Sequence, residues 1–190
     1  NPTFEDWLAL NQLYADYASA VDSGNWDLWP EFFTDQCVYR LQPRENHERG
    51  FPLATLSFTS KGMLKDRVYG IKETLFHDPY YQRHVVGAPV VRSSEGGQFC
   101  CEANYAVFRT KLSDASTVFN VGRYLDTVVR TPEGFKFASR ECIYDTEMIP
   151  NSIISPISGP RRANPTAPMP CPAVTFPPAT SRSPPWAAAT

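Results

Sequence analysis

The chain has 190 residues, 42% of them hydrophobic, with 18 basic and 20 acidic side chains and a formal net charge of −2. That suits one soluble domain able to bury a core, and no run approaches the roughly 18–20 consecutive apolar residues a membrane-spanning helix needs. All 20 acidic residues and all but three of the basic ones precede Ser158, so the body is mildly acidic, has no basic stripe and is not expected to bind nucleic acid.

The opening "NPTFEDWLAL" lacks the basic-then-apolar pattern of a secretory leader, so a cytoplasmic protein is expected. Thr3-Phe4-Glu5-Asp6 offers a helix cap with an acid three residues on. Trp7, Leu10, Tyr14, Tyr17 and Val21 then recur at steps of three and four, which predicts one buried helical stripe ended by Ser23-Gly24. "NWDLWPEFF" reads as a short second helical piece and "CVYRL" as a short strand, with His47 of "PRENHERG" in a loop. A third helix is predicted from Lys61 to about Leu75, capped by Ser60, burying Leu64, Val68, Ile71 and Leu75. Beyond Pro79 the pattern changes to strands. Residues 82–93, 98–111, 116–131 and 134–145 are rich in Val, Tyr, Phe and Thr and are separated by turns of hairpin length. Helices followed by consecutive antiparallel strands predict an α+β domain with the helices on one face of the sheet. Residues 158–190 hold nine of the 18 prolines and no acid, and are expected to form an extended or disordered tail, with a non-native extension as the alternative, behind a domain spanning 1–157.

Several chemistries can be weighed from spacing. His77, Asp78 and His84 lie within eight residues, the raw material of a non-haem iron site, but Pro79 separates the histidines and nothing forces convergence. No cysteine is followed by histidine within two residues, so a Rieske cluster has no ligand pair here. GxGxxG, GxxxxGKS and GxSxG motifs are absent. Cys37, Cys100, Cys101, Cys142 and Cys171 form no CxxC pair, and reduced, mostly buried thiols are expected. An acid–base reading survives, in which His84 works with Asp22 or Tyr39 in one pocket as a free-standing lyase or isomerase. Its plain alternative is a hydrogen-bonded strand histidine.

"YADYASAVDSGNWDLWPEFFTDQCVYRL" resembles the opening of the NTF2-like (SnoaL-like) α+β cone fold. "MLKDRVYGIKETLFHDPYYQRHVVGAPVV" resembles the small (β) subunit of aromatic-ring-hydroxylating Rieske oxygenases, and "YDTEMIPNSIISPI" that family's C-terminal end. Within the family, "YRLQPRENHERGFPL" is most similar to the salicylate 5-hydroxylase small subunit, near the terephthalate dioxygenase small subunits. The resemblance implies a non-catalytic chain with no cofactor or metal of its own. The partner large (α) subunit would carry the Rieske [2Fe–2S] cluster and the mononuclear iron, with NADH electrons arriving through a reductase and ferredoxin. It further implies a hexamer of three large and three small chains acting on an aromatic carboxylate such as salicylate. Leu64, Asp66, Arg67, Tyr81, Arg83 and His84 match motif positions whose implied role is packing and subunit contact. Arg67, Tyr81 and Arg83 are the interface candidates, since aromatic residues and Arg are enriched at interface cores. Intrachain salt bridging and core packing are the alternative for each.

Overall fold

The computed structural model describes residues 2–73 and 80–146. The chain opens with α1 (Phe4–Asp22), a 3₁₀ turn (Trp29–Phe32), β1 (Phe33–Pro43), α2 (Arg44–Glu48), β2 (Leu56–Phe58) and α3 (Lys61–Glu73). Five strands follow: β3 (Tyr80–Val86), β4 (Val90–Glu95), β5 (Gln98–Lys111), β6 (Thr117–Thr131) and β7 (Gly134–Tyr144). They form one sheet in the order β2-β1-β7-β6-β5-β3, with β4 pairing β5 beside β3. Only β1 and β7 run parallel among the described pairs. The result is the expected NTF2-like α+β cone, helices packed on a curved, mostly antiparallel sheet.

The first helix is set by its cap. The Thr3 hydroxyl accepts from the Asp6 amide at 3.1 Å, while the Thr3 amide donates to the Asp6 carboxylate at 3.0 Å. Both are otherwise orphan donors of a helix start. Ser23 ends the helix and Gly24, at φ +70°, supplies the left-handed residue after it. Leu10, Tyr14, Tyr17 and Val21 are buried as expected, joined by Leu13 and Ala20. Trp7 departs from the predicted stripe. It is 43% exposed and stacks on Phe4, and Leu10 is the first fully buried position.

The third helix starts where predicted, with the Ser60 hydroxyl accepting from the Met63 amide at 3.3 Å, and buries Leu64 and Val68. Ile71 is half-buried, and Leu75 lies outside the described residues. The predicted strand 82–93 is two strands: Gly87 and Pro89 interrupt it, and proline has no amide to give a ladder. Neither α2 nor β2 was anticipated, and His47 sits on α2 rather than in a loop.

Strand pairing sorts side chains onto two faces, since paired residues share a side. The inner face, under α1, carries Tyr39, Cys101, Tyr105, Tyr124, Asp126, Arg140 and Cys142. Gly122 is also on it, and there the backbones of β6 and β7 approach so closely that an added Cβ would stand 2.0 Å from the Ile143 carbonyl oxygen. Cys37, Cys101 and Cys142 are free and buried. Neighbours on a strand face opposite ways, which puts Cys101 in the core and Cys100 on the outer face. Cys171, His77, Asp78, the boundary after Ile157 and the 158–190 tail lie outside the described residues.

Candidate functional site

Two places could carry chemistry, and the first is a groove between α1 and β3. Asp22, in the last turn of α1, holds His84 of β3 twice. Its Oδ2 accepts the His84 backbone amide at 2.9 Å and its Oδ1 lies 2.6 Å from Nδ1. Both side chains are largely buried, at 7% and 12% exposed. Beside them the Gln82 amide donates to the Val21 carbonyl at 3.0 Å, tying the same strand to the same helix end. The groove above this clamp has a volume of about 600 Å³. Leu8, Gln12, Ala15 and Ser19 of α1 form one wall, and Val86 to Pro89 form the other. The sequence named Asp22 and His84 as possible partners across 62 residues, and the fold brings them together. Tyr39 does not join them. It sits in the core, its ring 5.4 Å from that of Trp29 and 6.0 Å from that of Phe58.

The second place is the space between α1 and the inner face of the sheet, and it is filled. Arg140 is fully buried and makes two bonds to Asp126, Nε to Oδ1 at 3.0 Å and Nη2 to Oδ2 at 2.7 Å. The Tyr14 hydroxyl donates to the same carboxylate. Around the guanidinium stand the rings of Tyr14, Tyr17, Tyr124 and Phe137, with centroids 3.9–4.9 Å from its central carbon. Nη1 makes no hydrogen bond and faces these rings, whose π-electrons substitute in part for an acceptor. Tyr105 stacks on Tyr124 at 4.3 Å and gives its hydroxyl to Asn120 at 2.8 Å.

Burial decides the protonation of this interior. It works against the charge on Arg140, but the Asp126 carboxylate more than offsets that and raises the guanidinium's pKa. Burial also pushes the phenols of Tyr14, Tyr39 and Tyr124 well above their ordinary value. The Cys101 and Cys142 thiols are pushed up to about 12, and Cys37 to about 11. None of these is a nucleophile or base at neutral pH. Among the described residues no group of three or more His, Cys, Asp or Glu is placed to hold a metal ion.

Sequence reading missed the Arg140–Asp126 pair. A signal existed: period-two alternation puts both charges on the side that carries Tyr124 and Cys142, an apolar parity where a charge must be paired. Of the interface candidates, Tyr81 and Arg83 are exposed on the outer side of β3. Arg67 is half-buried on α3, where burial lowers its pKa against the opposing pull of Tyr39.

A SnoaL-like domain model matches residues 2–141. The small subunit of anthranilate 1,2-dioxygenase from Burkholderia cepacia is 32% identical over 151 residues, 80% of this chain and 94% of that protein. The beta 1 subunit of the terephthalate 1,2-dioxygenase terminal oxygenase component from a Comamonas species is 28% identical, over 75% of this chain and 93% of that one. A solved Novosphingobium aromaticivorans beta subunit, from a provisionally assigned aromatic-ring-hydroxylating dioxygenase, superposes with a TM-score of 0.71 at 34% identity. That match covers 78% of this chain and 95% of the other. The names of the two curated relatives carry anthranilate and terephthalate, where the sequence motifs pointed to salicylate.

Proposed function

Because this chain belongs to the SnoaL-like small subunits of aromatic-ring-hydroxylating dioxygenases, we propose that it is the non-catalytic, assembly-bearing chain of a Rieske non-haem iron oxygenase in the cytoplasm. Its large subunit would hold the [2Fe–2S] cluster and the mononuclear iron, fed from NADH through a reductase and ferredoxin. The substrate is an aromatic carboxylate, of the salicylate or anthranilate kind, and three large and three small chains make the working particle. Residues 1–157 form the domain that does this.

The observation that carries the non-catalytic role is the filling of the cone. Between α1 and the centre of the inner sheet face a fully buried ion pair and a shell of aromatic rings occupy the volume, and the space that remains lies towards β3. The thiols and phenols there are held protonated. What remains for such a chain is to present surfaces. Co-expression with the large subunit, followed by mass measurement in solution, tests the reading. A stable three-plus-three particle with turnover is the expected outcome, and a small chain that stays alone sinks the proposal.

One observation favours a second reading, a free-standing lyase or isomerase. The Asp22 carboxylate fixes the Nδ1 side of His84 at 2.6 Å beside an open groove, the arrangement of an oriented general base. Under that reading the isolated chain converts a substrate without any large subunit.

A further inference from the structure

The clamp between α1 and β3 leaves one polar atom over. Asp22 engages the strand through the His84 backbone amide at 2.9 Å and the ring Nδ1 at 2.6 Å. A carboxylate oxygen accepts, so Nδ1 carries the hydrogen and the rest of the ring's bonding capacity falls to Nε2. Nε2 makes no hydrogen bond among the described residues, and His84 lines the groove. Gln82 ties the same strand to the Val21 carbonyl at 3.0 Å, so the clamp does not fasten these elements alone. Fastening strand to helix thus uses one side of the imidazole and leaves the other to a ligand.

The walls set the shape of that ligand. Ala15, Ala18 and Ser19 lie three and four residues apart on α1 and share one helix face. Gly87, Ala88 and Pro89 stand opposite, between β3 and β4. Two walls of short side chains leave a slot, and a volume of about 600 Å³ is within the range of small-molecule pockets. A rigid ring covers both walls without the ordering cost that a flexible chain meets.

The histidine sets the polar group. Neutral, its Nε2 accepts a hydrogen bond; protonated, it donates one. A hydroxyl serves both states. A carboxylate can only accept, and it would also meet the buried Asp22 carboxylate on the far side of the ring.

We propose that the groove between α1 and β3 is a binding site for a hydroxylated aromatic ring, a phenol, held between the alanines of α1 and the 87–89 segment with its hydroxyl on Nε2 of His84. No bond is made or broken there. The site stands on this geometry alone, and it is the same whether the chain works beside a large subunit or by itself.

The experiment labels the full chain with ¹⁵N at its three histidines and titrates it with phenol, then with anisole and benzoate, which keep the ring but cannot donate a hydrogen bond. His84→Gln assigns the signals, whose positions report the charge on the imidazole, and the titrations are made with it neutral. Phenol should shift the His84 signals saturably at millimolar concentration and leave those of His47 in place. Anisole and benzoate should bind about fivefold more weakly or worse, the worth of one hydrogen bond. Ala18→Leu and Ser19→Leu narrow the slot without touching the clamp. Each should weaken phenol binding about tenfold or more with melting unchanged, and Ser19, being exposed, tolerates the change even where Ala18 does not. No saturable His84 shift in the wild type overturns the proposal. So does phenol binding that the folded leucine variants leave intact, which puts the ligand elsewhere. Equal binding of phenol and anisole overturns it as well, since Nε2 then has no part. Phenol has nothing to eliminate or isomerise, so each outcome is read apart from any turnover by the chain.

Discussion

The two faces of one sheet differ in how they settle their charges. On the inner face Arg140 and Asp126 are both essentially without solvent, and each is answered by the other and by Tyr14. On the outer face Arg83 stands in water with apolar neighbours and no counter-ion among the described residues. A desolvated charge must be paired inside the chain or the fold fails, whereas an exposed one can wait for a partner. The inner face therefore belongs to folding, the outer face carries no such internal demand, and substitutions on the two should differ sharply in their cost to stability.

The largest expected effect is Asp126→Ala. It strands a fully buried guanidinium, and breaking such a pair from one side costs about 3–5 kcal/mol. Urea unfolding should show a midpoint collapse of that size, or no folded protein. A cost below about 1 kcal/mol would mean that Arg140 finds other compensation and that the inner face is not built around the pair.

Gly122→Ala comes next. The added methyl meets backbone rather than a movable side chain, with the Ile143 oxygen at 2.0 Å and the Tyr144 Cα at 2.8 Å. Strand β6 or β7 must shift, at a cost near the upper end of the 1–3 kcal/mol typical of overpacking. Thermal melting reads it directly, and an unchanged melt would show that the two strands have slack there.

Much of this architecture was legible in the sequence, and the misses have physical causes. The Thr3–Asp6 cap and the stripe of Leu10, Tyr14 and Tyr17 are local signals, and the helix they predict is present. The break at Gly87–Pro89 was equally local, yet the apolar run on either side masked it, so one long strand was expected. Arg140 went unnoticed because charge is by default a surface property, and only its parity with Tyr124 and Cys142 marks it as internal. Asp22 and His84 were recognised as possible partners, but contact across 62 residues is a product of the fold, and spacing alone left Tyr39 as an equal choice.

His84→Ala tests the border between the two faces, where α1 closes on the edge of the sheet. It removes the Nδ1 contact but keeps the backbone amide that Asp22 also holds, so the loss should lie towards the low end of the roughly 1–3 kcal/mol for a buried partner left unpaired. Turnover per intact oxygenase particle should not change. A hundredfold fall in turnover, with melting and assembly unaltered, would move the Asp22–His84 clamp from structure to chemistry.

The smallest effect should come from Arg83→Ala in the small chain alone, and its smallness is what the comparison requires. Arg83 is exposed and makes no ion pair among the described residues, so truncation breaks no ion pair among them in the isolated chain. Surface substitutions away from caps, cavities and networks stay within about ±0.5 kcal/mol. Chemical denaturation of the isolated chain should place the variant inside that band. A cost above about 1 kcal/mol in the isolated chain would reveal an intrachain role for Arg83. The division of labour between the two faces would then fail at the residue on which it leans most.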